Sequence, residues 1–212
     1  MKNNSFLSIE TSLNRIFLVV GISGRLLSSS TIKFDTMETI ITFKIDELLK
    51  RARTELRELT FIFVSLGPGS FTGTRVGLSA AKAISIAAKK KLIGYSNFEA
   101  IFTKALMEKK IDKDEKVGVL VNADKNNYYY QEFSKNISNE KMFFINDFEG
   151  FIKKNEHKLI GNFDKDNKLK NYFACLPDKY SIAKMVCLRN KKQKTEILPF
   201  YIKEHYARKK RQ

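Results

Sequence analysis

Two hydrophobic periods alternate along the first half of the chain. Near residues 5–10, 15–21 and 25–33, apolar residues come in short runs rich in Ile, Leu, Phe and Val, the composition of pleated strands. From about Thr36 to Arg53 the period lengthens. Ile40, Ile41, Ile45, Leu48 and Leu49 recur at helical spacing and predict an amphipathic helix. Phe61-Ile62-Phe63-Val64 is a fourth strand, ended by the turn Gly67-Pro68-Gly69. In the helix that follows, Gly73, Gly77 and Ala81 fall at i, i+4 and i+8 on one stripe, and Val76, Ala80, Ala83, Ile84 and Ala87 line a neighbouring one. Small or apolar residues almost all round from Val76 to Ala88 predict a helix that is deeply buried or packed on two sides. The stripe of small residues is then either internal packing or a face kept for a partner helix. Lys91–Tyr95 reads as a fifth strand, and Asn97, read as an N-cap, opens a helix to Lys109.

Charged residues from Glu108 to Lys116 interrupt the apolar pattern and suggest a division into residues 1–108 and 109–212. Beyond them strands return at Val117–Val121 and Tyr128–Phe133, around the turn Asp124-Lys125-Asn126-Asn127, and again at Met142–Ile145. A short helix from Asp147, a strand at Lys158–Ile160, a helix from Ser181 to about Arg189 and a strand at Leu198–Ile202 complete the reading. Strands followed by helices occur twice, so the pattern suggests two related α/β halves and a mixed α/β fold.

The glycine turn is the most informative chemistry. With Ser70 or Thr72 as N-cap, the first amides of the helix face outward at the positive end of its dipole, which suits a phosphate. No Gly-Lys-Ser/Thr follows, so this is not a P-loop, and an internal strand-to-helix turn is the alternative. Only His157 and His205 occur, far apart, so no helical histidine pair is available for a metal. His157 reads as a residue flanking a strand. Cys175 and Cys187 are too distant for a CxxC site and read as reduced thiols.

The segment GPGSFTGTRVGLSAAKAISIA resembles the GPGSFTGLR-type motif of the TsaB family. LSIETSLNRIFLVV, VNADKNNYYYQEF and LPFYIKEHYARKK resemble three further stretches of that family in the same order, so the resemblance spans almost the whole chain. It implies an actin/Hsp70-like fold of the ASKHA, ribonuclease H-like type with two α/β lobes. It implies a non-catalytic dimerisation subunit acting with TsaD, its catalytic paralogue, in threonylcarbamoylation of adenosine beside the tRNA anticodon. The implied partner surface combines Ile41, Ile45 and Leu48 with Thr72, Gly73, Arg75, Val76, Gly77, Ala80, Ala81 and Ile84. A TsaE-like ATPase and tRNA would join through the complex, and the isolated chain would form a homodimer.

In actin-like kinases an Asp at the end of the first strand organises metal and phosphate, and here Glu10 stands there, followed by Thr11 and Ser12. The resemblance thus outlines a residual nucleotide site at Glu10, Thr11, Ser12, Gly67, Gly69 and Ser70, with no intrinsic cofactor and with ATP or ADP at or near the complex interface. The other reading of Glu10 is a turn residue between hairpin strands. Further departures are Phe34-Asp35-Thr36 at the start of the first helix and Asn122-Ala123-Asp124 in place of Asp-Ala-Arg. Two rival functions remain open at this level. One is an autonomous nucleotide-dependent phosphotransferase or glycoprotease-like hydrolase using Glu10, Ser70 and Thr72. The other is a basic RNA-binding module.

Charge sharpens the second rival. Lys and Arg number 39 against 23 Asp and Glu, a net charge of +16 that favours acidic partners. The dense basic runs are Lys89-Lys90-Lys91 and the tail Arg208-Lys209-Lys210-Arg211, which reads as adding phosphate contacts without sequence readout. A lysine-rich genome gives the same composition. The polar start Met1-Lys2-Asn3-Asn4 and the lack of a long apolar run predict a cytoplasmic protein without a membrane anchor.

Overall fold

The computed structural model describes residues 5–31, 37–124, 127–134, 137–162, 171–188 and 197–200. The first half builds a five-stranded sheet from β1 (Phe6–Glu10), β2 (Ile16–Ile22), β3 (Arg25–Thr31), β4 (Phe61–Ser65) and β5 (Lys91–Tyr95), in the order β3-β2-β1-β4-β5. β1, β2 and β3 pair antiparallel, whereas β1–β4 and β4–β5 are parallel. The parallel pairs require crossovers, which α1 (Met37–Ala52) and α2 (Phe71–Ala87) supply. Both helices cover one face of the sheet. Ile41, Ile45, Leu48 and Leu49 of α1, with Leu78 and Ala81 of α2, meet Leu7, Ile9, Leu18, Ile62 and Val64 there.

On the opposite face Phe6, Phe17, Phe61, Phe63 and Tyr95 form an aromatic layer, with Phe63 and Tyr95 ring centroids 4.3 Å apart. α3 (Asn97–Met107) and α5 (Lys179–Leu188) cover that layer, through Ala100 and through Ile182 and Met185.

The second sheet runs β10-β9-β6-β7-β8, from β6 (Val117–Asp124), β7 (Asn127–Ser134), β8 (Ile137–Ile145), β9 (Lys158–Gly161) and β10 (Tyr172–Ala174). Its pairings repeat those of the first sheet in order: β6–β7 and β7–β8 antiparallel, β6–β9 and β9–β10 parallel. α4 (Phe148–Lys154) stands where α1 stands, and α5 follows β10 as α3 follows β5. The expected repetition of plan is therefore present in the topology.

The boundary at residue 108 is a division of the sequence and not of the packing. α3 belongs to both cores, since Phe98, Ile101, Phe102 and Ala105 pack with Val117, Val119, Phe133 and Ile160 of the second sheet. α5, from the second half, packs on the first sheet. Ile197 packs against the α1–α2 core, and the Phe200 amide donates to Leu66 O at 2.9 Å.

Element ends otherwise shift by a few residues, with four substantive changes. Ser96, not Asn97, caps α3: its side chain accepts from the Phe98 amide while Glu99 reaches back to the Ser96 amide. β8 begins at Ile137, and β10 carries too short an apolar run to be seen in the sequence. The expected strand at Leu198–Ile202 is irregular over Leu198–Phe200, and its remainder lies outside the described residues. So do Phe34-Asp35-Thr36, His205 and the basic tail.

Candidate functional site

The six residues expected to hold a nucleotide come together, but as an internal latch. Glu10, Thr11 and Ser12 are 1%, 2% and 2% exposed, and Gly67 and Gly69 are buried. The Glu10 carboxylate curls over its own turn. Its Oε1 accepts from the Ser12 amide at 2.5 Å, the Ser12 hydroxyl at 2.9 Å and the Leu13 amide at 2.9 Å. Oε2 faces Arg15 Nε at 3.8 Å, and the Arg15 guanidinium lies over Phe17 and donates to Pro177 O at 2.6 Å. Burial pushes the Glu10 carboxyl up, against the pull of Arg15 and of the bonds from Ser12 and Leu13. Glu10 is thus the turn residue of the second reading.

The glycine turn closes onto that hairpin. The Ser70 amide donates to Ser12 O at 2.8 Å, and Thr11 Oγ1 donates to Gly73 O at 2.6 Å. Ser70 caps α2 by accepting from the Gly73 amide, so Thr72 lies in the first turn rather than at the cap. Gly67 and Gly69 adopt φ of 87° and 155°, and a Cβ on Gly69 would lie 2.4 Å from Ser12 O. The Gly67, Ser70 and Gly73 amides are committed to protein acceptors, Ser65 Oγ, Ser12 O and Ser70 Oγ. Glu10, Thr11, Ser12, Gly67, Gly69 and Ser70 thus all take part in the chain's own packing at this turn.

Asn97 completes the latch, a role that its reading as an N-cap does not include. It is fully buried, donates from Nδ2 to Ser12 Oγ at 2.7 Å and Pro68 O at 2.8 Å, and accepts from Ser65 Oγ at 2.7 Å. The Ser96-x-x-Glu99 capping box was the available signal, because it assigns the cap to Ser96 and leaves Asn97 with another task.

The small-residue stripe is explained by the same contact. A Cβ on Gly73 would sit 2.1 Å from Thr11 O, and one on Gly77 2.2 Å from Thr11 Oγ1. Gly73, Gly77 and Ala81 are buried, as are Ile41, Ile45 and Leu48. These six expected interface residues therefore serve the chain's own core, because the close approach they permit is to the β1–β2 turn and the sheet. Thr72 and Arg75 are exposed, while Val76, Ala80 and Ile84 are partly exposed.

A second face does remain on the two helices. On α2 it includes exposed Ala83, Ala87 and Ile86, the last 78% exposed; on α1 it includes Phe43 at 63%. At the start of α2 the Arg75 guanidinium covers the exposed Phe71 ring at 3.6 Å. Phe43 and Ile86 lay outside the expected interface, although the helical period places them off the core-facing stripes.

Other titratable groups hold the halves together. Lys104 of α3 meets Asp178 at 2.6 Å and Glu108 at 2.7 Å, and Lys110 meets Glu108 at 2.8 Å. Burial would raise the Asp178 carboxyl, but bonds from Lys104 and the Ser181 amide and hydroxyl outweigh it and hold it below the usual carboxylate range. Cys175 is buried and its thiol is pushed up to about 11 by burial, whereas Cys187 is exposed. His157 precedes β9 and lies 3.8 Å from Glu132. Among the described residues no cluster of His, Cys, Asp and Glu is placed to hold a metal, and no helix is long and apolar enough to cross a membrane.

A family model described as "TsaD: tRNA N6-adenosine threonylcarbamoyltransferase" matches residues 36–144, about half of the chain. The chain belongs to this family. Its curated relatives over most of the chain carry the name tRNA threonylcarbamoyladenosine biosynthesis protein TsaB. The protein of Buchnera aphidicola subsp. Acyrthosiphon pisum is 28% identical over 198 residues, 93% of this chain and 85% of the relative. That of Buchnera aphidicola subsp. Schizaphis graminum is 27% identical, covering 92% of this chain and 98% of the relative. The solved structure of YeaZ from Pseudomonas aeruginosa superposes with a TM-score of 0.72 at 18% identity, covering 93% of this chain and 99% of that one. The TsaB-like resemblance and the actin-like, ASKHA-type fold with two sheets both hold.

Proposed function

We propose that this chain is a subunit in tRNA threonylcarbamoyladenosine biosynthesis that works by docking a TsaD-type catalytic partner and performs no chemistry of its own. The name shared by relatives along nearly the whole chain carries the pathway assignment. The closed latch supports the non-catalytic part: Glu10 is spent on a turn and an internal ion pair, so it offers no base or metal ligand to a substrate. Neither rival enzyme reading has an open Glu10, and the charge of the chain fits a role near tRNA without requiring an independent RNA-binding module.

In this reading the partner packs against the outer face of α1 and α2, around Phe43, Val76, Ala80, Ala83 and Ile86, and not against the buried stripe. An exposed Ile and Phe beside small side chains let two helices approach closely and remove apolar area from water. A second copy of the chain uses the same face when the partner is absent, an isologous arrangement. A TsaE-type ATPase and tRNA join through the pair, and any ATP or ADP lies with the partner proteins and not between Glu10 and Ser70.

The test is complex formation between this chain and its TsaD-type partner, measured by sizing and titration. Ile86→Glu and Ala83→Glu place a charge on the docking face without touching the core. They are expected to weaken association at least tenfold while thermal stability stays unchanged, since about 1.4 kcal/mol is tenfold in affinity. Wild-type affinity in both variants would refute the docking face, and adenosine modification by the isolated chain would refute the non-catalytic role.

A further inference from the structure

The C-terminal ends of α1 and α2 form one cationic surface. β4 and β5 are parallel, with Phe61 in register with Lys91, so the chain entering β4 and the chain entering β5 lie side by side. The first brings Lys50, Arg51, Arg53 and Arg57, the second Lys89, Lys90 and Lys91. Lys90 Nζ donates to Arg57 O at 2.6 Å and ties the two loops together. Against these seven cations, residues 50–60 and 89–91 carry two carboxylates, Glu55 and Glu58. Glu55 pairs with Arg57, and Glu58 is occupied by the Thr54 hydroxyl and Glu55 amide. Lys50 pairs with Asp46. Arg51, Arg53, Lys89 and Lys91 are exposed, Arg51 feeling Glu47 one turn earlier on α1 and the other three in no ion pair with a described residue.

The backbone makes two of these cations informative. Both helices end in the same hydrogen-bonded motif: Arg53 N to Lys50 O with Thr54 N to Leu49 O, and Lys89 N to Ile86 O with Lys90 N to Ser85 O. The residue just past the helix is then left-handed, a position usually given to glycine. Here it is Arg53 at φ 53° and Lys89 at φ 50°. A cation at a helix C-terminus is favourable to the dipole, but Lys50 and Arg51 already supply that on α1. A left-handed Arg or Lys costs local stability that glycine would spare, and it projects a charge beyond the helix end.

We infer that this surface, centred on Arg51, Arg53, Lys89 and Lys91, binds the phosphate backbone of RNA. The inference rests on the tRNA-modification reading for the choice of RNA among polyanions, and the geometry adds the place. The surface sits at the end of the same two helices that present the docking face, so RNA held by a partner there can run across it. Contacts of this kind fix position and raise affinity without reading sequence.

The experiment uses the full chain and measures binding of an unmodified tRNA transcript and of a mixed-sequence RNA duplex across a salt series. In the variant Arg53→Gly/Lys89→Gly both charges go and both left-handed positions are relieved. It is expected to melt higher than the parent, by about 2–4 °C for each substitution, so lost binding cannot come from lost folding. RNA affinity at low salt should fall about tenfold, and the slope of log affinity against log salt should shrink by about 1.5. Lys109→Gly is the control. Lys109 occupies the same left-handed position, φ 55°, at the end of α3 on the opposite face of the first sheet. It should gain stability and keep RNA affinity.

Unchanged affinity and slope in the double variant would overturn the inference, as would an equal loss in Lys109→Gly, which would make the effect one of net charge. Stronger binding to phosphatidylserine-containing vesicles than to RNA, lost in the double variant, would reassign the surface to a membrane and equally overturn it. Complex formation with the TsaD-type partner is scored separately. Its failure would count against the proposed function while leaving a salt-dependent RNA surface in place.

Discussion

The two halves share one strand plan and differ in what crosses it. In the first, residues 66–90 connect β4 to β5 and include the 17-residue α2; in the second, residues 162–171 connect β9 to β10, a span too short for such a helix. The 16-residue α1 faces a 7-residue α4 in the corresponding place. Both halves tie the end of their first strand to the loop after their fourth. The Ser70 amide donates to Ser12 O in one, and Asn162 Oδ1 accepts from the Asn122 amide in the other. The first tie is embedded in a buried network with Thr11, Ser65 and Asn97, whereas Asn162 is only half-buried. A common sheet therefore tolerates great variation in its crossovers. The half that keeps two long helices is the half with an unpartnered apolar face and a rigid latch beneath it.

The strongest way to break that difference is Gly73→Ala. Its Cβ would fall 2.1 Å from Thr11 O, a backbone atom that cannot step aside, so α2 must lift from the hairpin. A loss of about 3 kcal/mol is expected, read as a lower urea midpoint, and it should release partner binding as well. A smaller contrast comes from the two asparagines. Asn97→Ala removes three buried hydrogen bonds and strands their partners, for about 2–3 kcal/mol, whereas Asn162→Ala removes one half-buried bond, for about 1 kcal/mol. Equal losses would mean that the two ties are energetically equivalent and the contrast is only geometric.

As pH falls, the latch carboxylate Glu10, pushed up by burial, takes its proton first and at no cost to folding stability, so the acid loss comes from the joint between the halves. Asp178 and Glu108 have folded pKa values held below their unfolded ones, Glu108 by its bonds from Lys104 and Lys110. Such carboxylates contribute stability above about pH 4 that is lost as pH falls through the lower folded values. Asp178→Asn should therefore lower stability near neutral pH and flatten its decline below pH 4, monitored by chemical denaturation across pH. The smallest effect is expected at Glu149 of α4. Glu149→Gln should change neither stability beyond about 0.5 kcal/mol nor partner affinity, since α4 takes no part in the α1–α2 face.

Much of the architecture was legible in the sequence because its signals are local. Hydrophobic period gave the strands and helices of the first half nearly residue for residue at Lys91–Tyr95, and Ser70 announced the start of α2 through the cap that its side chain makes. The motif around Gly67–Gly77 also marked the chain's relatives correctly, because a strand, tight turn and small-residue helix at that spacing carry a specific close-packing solution. What local pattern leaves open is the identity of the neighbour. Gly73 and Gly77 require something close, and sequence spacing is the same whether that neighbour is a partner helix or Thr11 of the chain itself. Glu10 is equally ambiguous, since a carboxylate at a strand end can face a ligand or fold back on Ser12 and Leu13. Asn97, Arg15 and α5 reach partners 85, 162 and, for Lys179 and Leu26, 153 positions away, and the fold alone brings such groups together. Sequence determined which segments must be strand, turn or helix, while tertiary packing decided which of their faces are already used and which are left for another molecule.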